Sequence, residues 1–221
     1  GKVSSLGQYA FTSSKITNIT IPKSVTMLNQ YCFYKCASLA NITFEAGGTS
    51  SLTISKYAFR DATALQVLNL PARLSKIYDK VTITSATGIF KNVCEVLQGA
   101  TRLKEINVEE GSKKFASIDG ILYERNENGE IDTLLFCPPA KTGELTVAKE
   151  ILYVEQGAFV NTQLTKISFE EYAKDDPNYD SSGGYWLGGV WPPIVYMTCR
   201  GLRENGYGNL SRDIARKHLD Q

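Results

Sequence analysis

Few side chains in this 221-residue chain have the type and spacing that catalysis needs. Its one histidine, His218, is three residues from the last position, so a serine, histidine and aspartate triad or a multi-histidine metal site would have to be built on a terminal segment. Five cysteines, Cys32, Cys36, Cys94, Cys137 and Cys199, are widely spread with no C-x-x-C pair, which argues against a zinc or redox site and against a disulfide framework. Glu170, Glu171, Asp175, Asp176 and Asp180 are close enough to consider as a calcium loop, but they miss the regular alternation of an oxygen cage and read as a solvated linker. Gly206, Tyr207 and Gly208 lack the third glycine and the preceding strand of a dinucleotide site. The expectation is no catalytic residue, no cofactor and no metal.

Composition narrows the partners. Apolar residues make up 43% and charged residues 21%, enough to bury a core, so disorder is excluded as a reading of the whole chain. With 24 Lys and Arg against 23 acids the net charge is +1, which gives no general field for polyphosphate and makes nucleic acid a poor partner. No run approaches the ~18–20 apolar residues of a membrane span. The opening Gly1, Lys2, Val3 reads as a trimmed start, so any signal peptide is expected to lie outside this sequence.

The elements that would position a site come from a repeat. Tyr9-Ala10-Phe11, Tyr31-Cys32-Phe33, Tyr57-Ala58-Phe59 and Gly157-Ala158-Phe159 share one pattern, with a looser copy centred on Phe90. Eight or nine residues later each triplet meets an alternating unit: Ile19 and Ile21, Ile42 and Phe44, Leu68 and Leu70, Ile167 and Phe169. The Phe90 copy reaches Ile106 and Val108 only after an apparent insertion around Val93 to Ala100. A further anchor, Ile16, Leu39, Leu65, Leu103 or Leu164, stands three residues before each strand position.

A unit of ~23 residues cannot bury its own face, so such units must stack as a solenoid with the phenylalanines and strand anchors as continuous ladders. Period-two alternation points Ile19, Ile21, Ile42 and Phe44 inward. It turns Thr20, Thr43, Asn69, Asn107 and Ser168 outward, as either a candidate partner-binding ladder or an ordinary solvated sheet face. Cys32 and Cys36 fill slots held by Ala58 and Ala62 elsewhere, which predicts small buried residues. The sequons at Asn18 and Asn41 fall inside strands and are explained by repeat geometry without glycans.

These residues resemble the BspA-like leucine-rich repeats of bacterial surface and secreted proteins, whose unit runs Leu-x-x-Ile-x-Ile-Pro-x-x-Val and then Ile-Gly-x-Tyr-Ala-Phe-x-x-Cys. Ile19 to Val25, Tyr31 to Cys36 and Leu39 to Phe44 carry the match. Ser117 to Tyr123 with Pro138 to Lys141 look like the hairpin module that interrupts such arrays, its turn at Asn126 to Gly129. The resemblance covers about residues 3 to 170 and implies adhesion or protein binding at a cell surface.

After a linker the composition shifts. Tyr185, Trp186, Leu187, Gly188, Gly189, Val190, Trp191, Pro192 and Pro193 lead into two candidate helices. This segment resembles the tryptophan motif and helix pair of inverting (α/α)6-barrel glycoside hydrolases, of the α-glucosidase and mannosylglycerate hydrolase group, with Leu187 where that family has arginine and Gly189 where it has proline. The family's general acid lies upstream of the motif and its base downstream. Tyr185, Trp186 and Trp191 are candidate sugar-stacking residues, with docking of the hairpin on the last repeat as the other reading.

The expected architecture is therefore α/β: a leucine-rich-repeat solenoid over 1–170, with parallel short strands, short helical turns and one β-hairpin insertion, then a linker at 171–184 and a helical hairpin at 185–221. The expected function is a non-catalytic secreted or surface module binding a protein or glycan on a host or matrix. The alternative is the targeting portion of a larger hydrolase.

Overall fold

The computed structural model describes residues 2–77, 80–82, 89–91 and 93–170, with backbone alone at 80–82 and 89–91. The chain coils by alternating two kinds of strand. β1 (Ser5–Leu6), β3 (Met27–Leu28), β5 (Leu52–Ile54) and β7 (Leu74–Lys76) form one parallel four-stranded sheet. Between them in sequence run β2 (Asn18–Ile21), β4 (Asn41–Phe44) and β6 (Val67–Leu70), on the second side. An antiparallel pair, β8 (Lys80–Thr82) with β9 (Ile89–Lys91), and the single turn α1 (Val93–Val96) precede β10 (Glu105–Val108). β11 (Phe115–Ile118), β12 (Ile121–Arg125) and β13 (Ile131–Phe136) form the expected antiparallel module, and β14 (Thr142–Val147), β15 (Tyr153–Val154) and β16 (Gln163–Phe169) resume the coil. β2 pairs with β4, β6 with β10, and β14 with β16, all parallel.

Register follows burial. Ile19 opposes Ile42 and Thr20 opposes Thr43, so the alternation of each strand puts its isoleucines inward and its threonines outward together. Ile21, Ile42, Leu68 and Ile106 are buried in one apolar cluster with Leu39, Leu65 and Leu103. Phe11, Phe33 and Phe59 stack face to face, 5.2 and 5.6 Å between centroids and 10° from parallel, so the phenylalanine ladder is real.

The α/β expectation is corrected. Among the described residues the only α-helix is α1, and the expected helical turns are tight bends. Tyr9, Tyr31 and Tyr57 open these bends, and Ser13, Lys35 and Asp61 close them, all six with φ between 55° and 61°. Two left-handed residues four apart stop a right-handed helix from propagating, at a cost of about 1–2 kcal/mol each. Coil-to-coil bonds offset that cost. Phe11 and Ser13 donate their N–H groups to Cys32 O and Tyr34 O at 2.8 Å, and Phe33 and Lys35 donate theirs to Ala58 O and Arg60 O at 2.9 Å.

The same bonds correct the fifth copy. Phe59 N–H donates to Val96 O and Asp61 N–H to Gln98 O, which puts Leu97, not Phe90, in the phenylalanine slot. Leu103 and Ile106 then follow at the ordinary spacing, and the insertion precedes the copy as the β8–β9 pair. Among the described residues there are thus two antiparallel insertions, not one. The second turns at Asn126, whose Oδ1 accepts from the N–H groups of Asn128 and Glu130 at 3.0 Å, and at Gly129, with φ 86°. Asn128, between them, does not share the positive φ. β13 also serves as a coil strand: it pairs in parallel with β15, and Cys137 N–H donates to Ala158 O at 2.7 Å. The linker at 171–184 and the helical hairpin at 185–221 lie outside the described residues.

Candidate functional site

The outward ladder exists, but in three pieces. Thr20 and Thr43 are exposed, directly opposed, and make no side-chain hydrogen bond among the described residues. Asn69 and the half-buried Asn107 are also opposed, and Asn107 Nδ2 donates to Asn69 Oδ1 at 3.1 Å. The half-buried Ser168 opposes Thr146, with their hydroxyls 3.0 Å apart. β4 and β6 belong to different sheets, which separates the first pair from the second.

The break between the second pair and the third is made by a hairpin turn. The β11–β12 turn, Asp119–Gly120, folds against β10, where Gly120 O accepts Ile106 N–H at 2.8 Å and Ser117 Oγ accepts Val108 N–H at 3.0 Å. A Cβ at Gly120 would lie 3.1 Å from Glu105 Cα, so this approach needs glycine. The ladder expected to run evenly from Thr20 to Ser168 is therefore interrupted by the hairpin. Asn18 and Asn41 are exposed and bonded to each other, Asn41 Nδ2 to Asn18 Oδ1 at 2.8 Å.

A tyrosine ladder on the bend side had no role assigned from sequence. Tyr9, Tyr31 and Tyr57 stack at 5.1 and 4.9 Å, and Tyr34 packs edge-on against Tyr31. Lys56 Nζ sits 4.7 Å from the Tyr57 ring centroid, and Arg60 lies over both Tyr57 and Tyr34. Glu95 anchors the group through Lys56 Nζ at 3.1 Å and the Tyr57 hydroxyl at 3.3 Å. The internal ring faces of this stack are taken by neighbouring rings and cations, which leaves mainly edges and hydroxyls to solvent. The signal was present as the first aromatic of each triplet.

The cysteines behave as small core residues. Cys32 and Cys36 are fully buried, and Cys36 Sγ donates to Phe11 O at 2.9 Å. Burial pushes the thiols of Cys32 and Cys137 up to about 12 and that of Cys94 to about 11, so none is a ready thiolate nucleophile at neutral pH. Among the described residues no group of histidine, cysteine and acid side chains is placed to hold a metal. Of the acidic run, only Glu170 falls among the described residues, and the candidate sugar-stacking Tyr185, Trp186 and Trp191 lie outside them, as does Cys199.

Residues 1–87 match the family model of the BspA type leucine rich repeat region, in six copies. The solved structure of the pneumococcal vaccine antigen PcpA is similar with a TM-score of 0.63 at 24% identity, over 76% of this chain and 37% of that one. A leucine rich cell surface protein from Faecalibacterium prausnitzii A2-165 is similar with a TM-score of 0.52 at 20% identity, over 76% of this chain and 52% of that one. These likenesses show the leucine-rich-repeat fold, and the chain spans between about a third and a half of those structures. No curated protein matches it.

Proposed function

We propose that this chain is a repeat module of a secreted or surface-displayed bacterial protein, with no active site of its own, that binds a protein partner along the outward ladder. The observation that carries this reading is the Thr20–Thr43 pair: two exposed hydroxyls in register on a parallel sheet, neither bonded among the described residues. Hydroxyls that the fold leaves free are available to a partner without breaking a native bond. Asn69 is exposed too but, like Asn107 and Ser168, is tied to its strand partner, and these three contribute less. The surface setting is supported by the repeat match over 1–87 and by the two similar structures. Among the described residues no helix is long and apolar enough to cross a membrane. The reading as a targeting portion of a glycoside hydrolase rests on residues 185–221 alone.

The test uses Thr43→Asp combined with Asn69→Asp, both at exposed positions. Immobilised parent and variant are compared for retention of extracellular-matrix proteins and mucin. The variant is expected to retain less with an unchanged melting temperature, and equal retention by both would move the binding surface elsewhere.

A further inference from the structure

Four consecutive coils meet beside the β10 edge. Gln66 O accepts Lys104 N–H at 2.8 Å, Leu103 O accepts Ala140 N–H at 2.8 Å, and Pro139 O accepts Gln163 N–H at 3.1 Å. An open groove of about 710 Å³ crosses these coils. At the coil spacing of ~4.8 Å, three steps make it roughly 14 Å long.

Its lining is charged out of proportion to the chain. Arg102, Lys104 and Lys141 line it with Glu105, three cations to one carboxylate, in a protein whose net charge is +1. Arg102 and Lys104 have no ion-pair or hydrogen-bond partner for their side chains among the described residues. Lys141 Nζ is held at 2.5 Å by Asp119 O, a carbonyl that orients the ammonium without neutralising it. Gln66, Thr101 and Gln163 add amide and hydroxyl groups that both donate and accept.

We propose that this groove is a binding site for an acidic oligosaccharide of the uronate class. Sugar carboxylates pair with Arg102 and Lys104, and sugar hydroxyls bond to the amides, Thr101 and Glu105. An acidic peptide fits less well, because the carbonyls of Gln66, Leu103 and Pro139 are already spent between coils, so no strand edge is offered for backbone pairing, and the lining holds no aromatic or large aliphatic pocket. Nucleic acid lacks a ring to stack on here. Glu105 among the cations disfavours densely charged sulfated or phosphorylated ligands by like-charge repulsion. The site is separate from the Thr20–Thr43 surface and does not depend on it.

Titration calorimetry of the purified chain with galacturonan and hyaluronan tetrasaccharides tests the site. Saturable binding of at least one is expected, weakening as salt rises, with no binding of the methyl-esterified neutral counterpart. Arg102→Gln with Lys104→Gln should weaken it at least tenfold without shifting the melting temperature, Glu105→Gln should strengthen it or admit a heparin tetrasaccharide, and the Thr43, Asn69 variant should bind as the parent does. The proposal is overturned if neither uronate binds, if the neutral sugar or a poly-glutamate peptide binds as tightly, or if the double glutamine variant is unaffected.

Discussion

The Phe33 ring is held between two neighbours, and its contact with Phe59, 5.6 Å between centroids and 10° between planes, joins one coil to the next. Both side chains are fully buried. Truncating Phe33 removes the stack on both sides at once, so Phe33→Ala is expected to cost ~3–5 kcal/mol in denaturant unfolding. A loss no larger than that of an exposed substitution such as Thr43→Ala would mean that the ladder does not carry the core.

Gly99 stands where Asp61 stands one coil earlier, and the two are in contact. A Cβ at Gly99 would approach Asp61 Oδ1 to 2.1 Å and Asp61 Cα to 3.2 Å, at φ +80°. Gly129 has φ +86° with nothing within 4 Å. Gly129→Ala thus carries only the left-handed cost of about 1–2 kcal/mol, and Gly99→Ala should lower the melting temperature distinctly more. Equal shifts would show that the coil contact yields.

Stability is expected to fall above pH 9. The buried thiols of Cys32, Cys94 and Cys137 are raised from 9.0 to about 12, 11 and 12, so the folded chain keeps protons that the unfolded chain releases. Their contribution is full below pH 9 and is lost progressively as pH climbs from 9 towards 11–12. Denaturant midpoints at pH 8 and 10.5 measure the fall, and Cys32→Ala, which installs the residue of the Ala58 slot, should reduce it. An identical fall in parent and variant would assign the effect to other groups.

The purified chain is expected to cleave no glycoside. Inverting hydrolysis needs two carboxyl groups roughly 6.5–9.5 Å apart across the sugar, and the resemblance over 185–221 supplies neither the upstream acid nor the downstream base. Aryl α- and β-glycosides, trehalose, kojibiose and mannosylglycerate should show no turnover above buffer. Turnover abolished by Asp180→Asn or Glu204→Gln would move the function to the C-terminal segment.

The four-residue strands were legible because Asn18 to Ile21 and Asn41 to Phe44 are long enough to show alternation and end 10 and 11 residues after a phenylalanine. The second sheet was not, since Ser5–Leu6 and Met27–Leu28 are two residues each and a period cannot be read from two positions. Phe90 misled because residue type outweighed spacing, and Leu97 keeps the spacing to Leu103 and Ile106. Thr20, Thr43 and Asn69 were placed correctly as outward, but nothing in the strands announced that Asp119–Gly120 would interrupt the row. The groove was hidden for a simpler reason: Gln66 and Gln163 are far apart in sequence and meet only through stacking.

The coil-to-coil bonds of the bends have a mechanical consequence. Bonds such as Phe33 N–H to Ala58 O and Lys35 N–H to Arg60 O run along the solenoid axis, so a pull on the two ends loads one coil at a time instead of shearing all of them together. A coil of 22 or 26 residues, as from Phe11 to Phe33 or from Phe33 to Phe59, releases on the order of 80 Å of chain as it peels away. Under tension between its two ends, the molecule would lengthen stepwise and keep the remaining coils intact, a graded shock absorber in place of a bond that fails at once.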